Sequence, residues 1–304
     1  MTSQKSFIRR TPHQLGMPPA WKLLAPLIII IVAVVGYPVV QTVLLSFTNT
    51  KLLAGFSKSS WVGFENYSFA LTDTEFLKSL LRTLYFTVTS VGTEGILGVA
   101  VALLLNQQFP GRTLCRSLLV LPWAIPTIVN AIMWRLIYQP DFGGLNALLV
   151  QNGLMENYRS WLGDEASAMN AVIFADVWKN YPIVALIVLA ALQSAPKELY
   201  EAAKLEGANA WDCFKVVTWP VIASPLLIAL VLRAIEALKV FDIIYVMTRG
   251  GPANSTKTLS FFVYQESFSF NRVGSGASYA LIVVLLAMVF IMIYVRLLKS
   301  AEQA

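Results

Sequence analysis

Three charges stand one helical turn apart in an otherwise apolar stretch: Arg233, Glu236 and Lys239, with Asp242 just beyond. Each costs ~2.5–3.5 kcal/mol to place near the centre of a bilayer, so in a membrane these side chains must face protein or water. Two chemistries fit. The charges can compensate one another along the helix, because Arg233–Glu236 and Glu236–Lys239 are both at pairing distance. Alternatively, they line the route of a polar solute. Glu94 is an acid inside a second apolar stretch, read either as a proton-coupling group or as a buried structural hydrogen bond. A third polar feature, EAAKLEGANAWDCFKVVTWP from Glu201 to Pro220, separates two long apolar segments that need only a short turn between them. Its composition predicts two short helices broken at Gly207, with Glu198, Glu201 and Glu206 early in the helices where the dipole favours them. Pro196 suits the first turn.

Enzymatic chemistry finds no residues to carry it. His13 is the only histidine, it lies in the N-terminal tail, and no Cys/His cluster exists for a metal. No Gly-x-x-x-x-Gly-Lys-Ser/Thr segment is present to cradle a nucleotide phosphate. A membrane-embedded enzyme is therefore disfavoured.

The elements that position these residues follow from composition. With 57% hydrophobic and 13% charged residues in 304, the chain is too apolar for a soluble domain. Six stretches reach the ~20 residues needed to span a bilayer: Leu23–Phe47, Leu80–Leu105, Leu114–Tyr138, Ala168–Leu192, Val216–Met247 and Ala277–Leu298. Lys and Arg number eleven on one side of this arrangement and nine in the considerably longer loops of the other, so their density puts both termini inside. Cys115 and Cys213 then both face inward, and no disulfide is expected. The net charge of +6 suits anionic lipid headgroups and calls for no nucleic acid. Residues 1–20 read as a polar tail behind an uncleaved first span with a kink at Tyr37-Pro38, and 300–304 as a second tail. The loop 139–167 has room for a short interfacial helix. Gly92, Gly95, Gly98 and Ala102 form a small-residue stripe suited to close helix approach.

Glu201-Ala202-Ala203, Gly207 four positions after Ala203, and Pro220 after an aliphatic Val217 together resemble the EAA loop of ATP-binding-cassette (ABC) importer permeases, with Trp219 in place of the more usual Leu. The stretch Phe241–Pro252, the Leu121–Thr127 segment LPWAIPT and the Asp176–Pro182 segment DVWKNYP are similar to those of carbohydrate permeases of the maltose and trehalose type. The resemblance runs from about Trp21 to Leu298. It implies an all-α integral membrane fold of six transmembrane helices, a type I importer permease with residues 21–299 as the permease domain and 196–220 as the coupling loop. It implies that Glu201, Ala202, Ala203, Gly207 and Pro220 meet the ATPase. It further implies a solute path touched from the positions of Trp123, Thr127, Asp176, Asn180, Ile183, Arg233, Ala237 and Val240, with Glu236 and Lys239 beside them. Trp123 offers an aromatic face and Thr127, Asp176 and Asn180 short polar groups for hydroxyls. Ala237 and Val240 are apolar where maltose-type permeases have polar contacts.

Expected partners are a second permease, two ATPase subunits holding the ATP and Mg that this chain does not bind, an extracytoplasmic solute-binding protein, membrane lipid and a sugar. The expected location is the bacterial cytoplasmic (inner) membrane. The solute is read as a neutral disaccharide or glycoside, with an anionic sulfo- or phospho-sugar as the alternative. An ion-coupled secondary transporter and a scaffolding subunit whose partner alone touches solute are the remaining readings.

Overall fold

A computed structural model describes residues 20–54 and 59–302. The expected N-terminal tail with His13 lies outside them, as do residues 303–304 of the C-terminal one. Among the described residues the chain is helical, with no strand beyond one isolated bridge between Thr48 and Trp61.

Helix α1 (Leu24–Ser46) is the most apolar span, and none of its apolar window is buried within the chain. It widens into a π turn at Val32–Gly36, two residues before Pro38. Proline has no N–H for the carbonyl four residues back, and its ring crowds that carbonyl. The wider turn relieves both, and this is where the expected kink is absorbed. The same device recurs at Phe214–Thr218, two residues before Pro220.

After α2 (Glu65–Thr72) comes α3 (Thr74–Asn106), longer than the sequence suggested because Asp73 caps it. The Asp73 carboxylate accepts from the backbone N–H of Glu75 at 2.9 Å and of Phe76 at 3.2 Å. The third span is not the continuous Leu114–Tyr138 helix expected. It is broken into α4 (Arg112–Ala124) and α5 (Thr127–Ile137), which meet at 94°. Pro126 drives Ile125 to an extended conformation (φ −72°, ψ 129°) and cannot continue the ladder itself. A short α6 (Gly144–Gln151) occupies the following loop, as anticipated.

Helix α7 (Glu165–Ser194) passes into α8 (Lys197–Leu205) and, after a turn, α9 (Ala210–Leu238). The fifth span also departs from expectation. It stops at Leu238 and restarts as α10 (Asp242–Met247), and the Val240 carbonyl freed by the break accepts a hydrogen bond from Thr258 Oγ1 at 3.1 Å. The chain ends through α11 (Leu259–Tyr264) and α12 (Val273–Glu302).

Helices α3, α7 and α9 form the centre. Two of the small residues do the work foreseen for the stripe: Gly95 faces Leu230 and Gly98 faces Val184. Gly92 faces open space. Two apolar clusters lie along this triangle. One holds Ala102, Val184, Val188, Ile222 and Leu226; the other holds Val91, Val172, Ala175, Ala234 and Ile244. Between them, on all three helices, lies a charged layer.

A methyl group on Gly98 would sit 2.7 Å from Val184 Cγ1, whereas one on Gly92 would meet nothing within 4 Å. Overpacking of this kind costs about 1–3 kcal/mol. Gly98→Ala should therefore lower the thermal unfolding midpoint of the detergent-solubilised protein by several degrees, and Gly92→Ala should leave it in place. Equal behaviour of the two variants would mean that α3 and α7 do not pack this closely.

Candidate functional site

The charged layer is built around Arg233, which projects inward from α9 and is 6% exposed. Its Nε donates to Glu94 Oε2 at 2.7 Å and its Nη2 to Glu94 Oε1 at 3.1 Å, a forked pairing with one carboxylate. Nη2 also donates to Asp176 Oδ2 at 3.2 Å, and Nη1 pairs with Glu236. Glu94 comes from α3 and is wholly buried; Asp176 comes from α7. The Asn180 side chain, one turn on from Asp176, donates to Asp176 Oδ1 and to the Asp176 carbonyl, both at 3.0 Å.

This revises the ladder read along one helix. Its first rung, Arg233–Glu236, is present. The second is not among the ion pairs of the described residues, because α9 ends at Leu238 and Lys239 leaves the helical path. The guanidinium is held mainly across helices. Of the two readings of Glu94, the geometry is that of a buried ion pair.

Beside Arg233 opens a cleft of about 330 Å³. Of the ten residues named on or beside a solute path, nine line it, among them Trp123, Thr127, Asp176, Asn180, Arg233, Glu236 and Lys239. The elbow at Ile125-Pro126 explains how two of them arrive together. Trp123 sits in the last turn of α4 and Thr127 at the first of α5, so the 94° bend places both at the inside of the corner. Trp123 keeps 46% of its surface exposed. Ala237 and Val240 also line the cleft, and Ile183 does not, packing instead at the edge of the Val184 cluster. Asp242, noted beside the charges of the fifth span, lines the cleft too, and one charged lining residue, Lys179, was not among the path candidates. Lys179 could have been found, since it lies three residues after Asp176 on the same helix.

The second group lies at the end of α7 and α9. Gly207 holds φ at +86°, a backbone conformation open to glycine, and turns α8 back toward α9. Asn209 then starts α9 with a capping box, its side chain accepting from the Asp212 backbone N–H at 3.1 Å while Asp212 Oδ2 accepts from the Asn209 backbone N–H at 3.3 Å. Glu201, Ala202 and Gly207 are exposed and Ala203 is half-buried. Leu205 and Trp211 point outward at 90% and 60% exposure, an apolar surface on a polar hairpin. Tyr200 and Thr218 tie α8 to α9 through their hydroxyls at 3.1 Å. Pro220 is not part of this cap; it lies further along α9, beyond the π turn.

Residues 95–303 match the family described as the binding-protein-dependent transport system inner membrane component. Over 274 residues the chain is 36% identical to a trehalose/maltose transport system permease protein of Thermococcus litoralis, covering 90% of this chain and 91% of that one. It is 32% identical to a sulfoquinovosyl glycerol transport system permease protein of Agrobacterium fabrum, over 92% of this chain and 90% of the other. A chain in the crystal structure of a bacterial ABC transporter for the acidic polysaccharide alginate superposes with a TM-score of 0.80 at 21% identity, covering 92% and 95% of the two chains. The fold is thus that of an ABC importer permease. The chain belongs to the binding-protein-dependent transport system inner membrane component family, as a multi-pass membrane protein.

The elbow makes a direct prediction. With Pro126→Ala, α4 and α5 can regain a continuous ladder, so spin labels at the exposed positions Leu114 and Ile132 should move apart. Cys115 and Cys213 are first replaced by Ser. An unchanged separation would show that packing, and not the proline, sets the bend.

Proposed function

We propose that the chain is the membrane-spanning permease subunit of an ATP-driven importer of a sugar. It lines the translocation path with a second permease, receives solute from an extracytoplasmic binding protein, and is moved by a cytoplasmic ATPase dimer that carries the ATP and Mg. The observation that carries this reading is the convergence of Trp123, Thr127, Asp176, Asn180 and Arg233 on one cleft, with Asp176, Asn180 and Arg233 supplied by the two helices whose other ends meet at the exposed hairpin. An aromatic face flanked by short acceptors and donors is the chemistry that holds a hydroxylated ring. Relatives named for trehalose/maltose and for sulfoquinovosyl glycerol support a carbohydrate.

Charge favours a neutral sugar. Asp176, Glu236 and Asp242 balance Lys179, Arg233 and Lys239 around the cleft, and Glu94 stands behind them. Arg233 is already paired, so it offers little to an anion. An acidic sugar remains the second reading, supported by Lys179 and Lys239, for which no ion-pair partner appears among the described residues.

In liposomes holding the complete transporter with its binding protein, trehalose, maltose and an anionic sulfo-sugar would each be tested for stimulation of ATP hydrolysis. Stimulation by the neutral sugars, lost equally for every responding sugar in Arg233→Ala, is the expected result. Loss confined to the sulfo-sugar would replace it with the anionic reading, and no response to any sugar would remove the carbohydrate assignment. For the hairpin, Gly207→Pro imposes φ near −65° where +86° is required, and Glu201→Lys reverses an exposed charge. Both variants should insert normally and lose at least tenfold of the stimulated hydrolysis. Full activity in both would exclude the hairpin as the point of coupling.

A further inference from the structure

We propose that Glu94 is a positioning residue of the sugar path. It holds Arg233 as a strut behind Asp176 and Asn180, and the guanidinium itself is not a ligand of the sugar. The proposal rests on the sugar-cleft reading above.

Its ground is the hydrogen-bond chain. Arg233 spends Nε and one Nη2 N–H on Glu94, a second Nη2 N–H on Asp176 and an Nη1 N–H on Glu236, and its side chain is only 7% exposed. Asp176 in turn offers Oδ2 to Arg233 and Oδ1 to the Asn180 amide. Both Asn180 N–H groups are thereby taken, one by that oxygen and one by the Asp176 carbonyl. That leaves the side-chain carbonyl oxygen of Asn180, a residue lining the cleft, as the acceptor we assign to a sugar hydroxyl. Orientation thus passes from Glu94 on α3, through Arg233 on α9, to an acceptor on α7. Stability alone does not account for the arrangement, because a buried ion pair is often replaceable by apolar residues of equal volume without loss. Apolar clusters on either side show that such packing was open to these helices.

The test is uptake of the responding disaccharide, trehalose or maltose, by the reconstituted transporter. Glu94→Gln should raise KM at least tenfold with kcat within twofold, because the acceptor is displaced and the coupling hairpin is untouched. Glu94→Asp should recover most of the affinity, and the exchange of charges in Glu94→Arg with Arg233→Glu should recover part of it. An unchanged KM, or a fall in kcat alone, overturns the proposal. Should Glu94→Gln fail to assemble, Arg233→Lys, which keeps the charge and loses the fork, carries the same expectation.

A second measurement needs no sugar. With Cys115 and Cys213 replaced by Ser, Asn180→Cys is labelled by a water-soluble maleimide. Adding Glu94→Gln should speed labelling at least fivefold as the neighbouring Asp176 is released. An unchanged rate overturns the strut whatever the solute, whereas a wild-type transporter inert to every sugar overturns only the carbohydrate reading.

Discussion

A guanidinium buried among three apolar helices constrains everything around it. Left alone in hydrocarbon, Arg233 would oppose insertion by a few kcal/mol, and so would Glu94 and Asp176. Together they satisfy one another, but only within about 3 Å and with the carboxylate in the plane of the fork. That requirement fixes α3, α7 and α9 in both separation and rotation. Gly95 and Gly98 make the separation possible by letting Leu230 and Val184 close on the α3 backbone next to Glu94. The apolar clusters above and below keep water from the Glu94 side of the layer and strengthen its electrostatics there. Pairing, small residues and flanking hydrophobes are therefore one device seen at three levels.

Proline supplies the second constraint. Where a span can widen by a residue, as before Pro38 and Pro220, the helix continues through a π turn. At Ile125-Pro126 it does not, and the chain turns a corner instead. The difference matters for the cleft. A straight third span would carry Trp123 and Thr127 one turn apart along a wall, whereas the corner gathers them opposite Asp176 and Asn180. Carbonyls freed at such breaks must find donors inside protein, and Thr258 does this for Val240.

What was legible in the sequence was what local rules decide. Length and hydropathy gave the membrane spans, Gly207 and the polar hairpin read correctly as helix, turn and helix, and nine of the ten residues named on or beside the path meet at one cleft, Ile183 being the exception. Proline at 126 was visible as a kink signal, but the size of the bend depends on what packs against it. The break after Leu238 has no proline or glycine to announce it and is held by a contact 18 residues away. Glu94 was the hardest case. Its acid was conspicuous, yet its partner lies 139 positions on, and pairing at i, i+3 offered a closer but incomplete answer for Arg233. Long-range ion pairs leave no spacing in the sequence to find.

Helix continuity joins the two halves of the site. The hairpin lies between α7 and α9, and these are the helices that carry Asp176 and Arg233 into the charged layer. The π turn at Phe214–Thr218 keeps α9 one helix across Pro220, and the Tyr200–Thr218 contact clasps α8 to it. Helix α3 is outside this frame, reaching the layer from the other side with Glu94. A rigid displacement of the hairpin is therefore carried by α7 and α9 to the Glu94–Arg233 pair, where α3, packed along α7 through Gly98 and Val184, meets them.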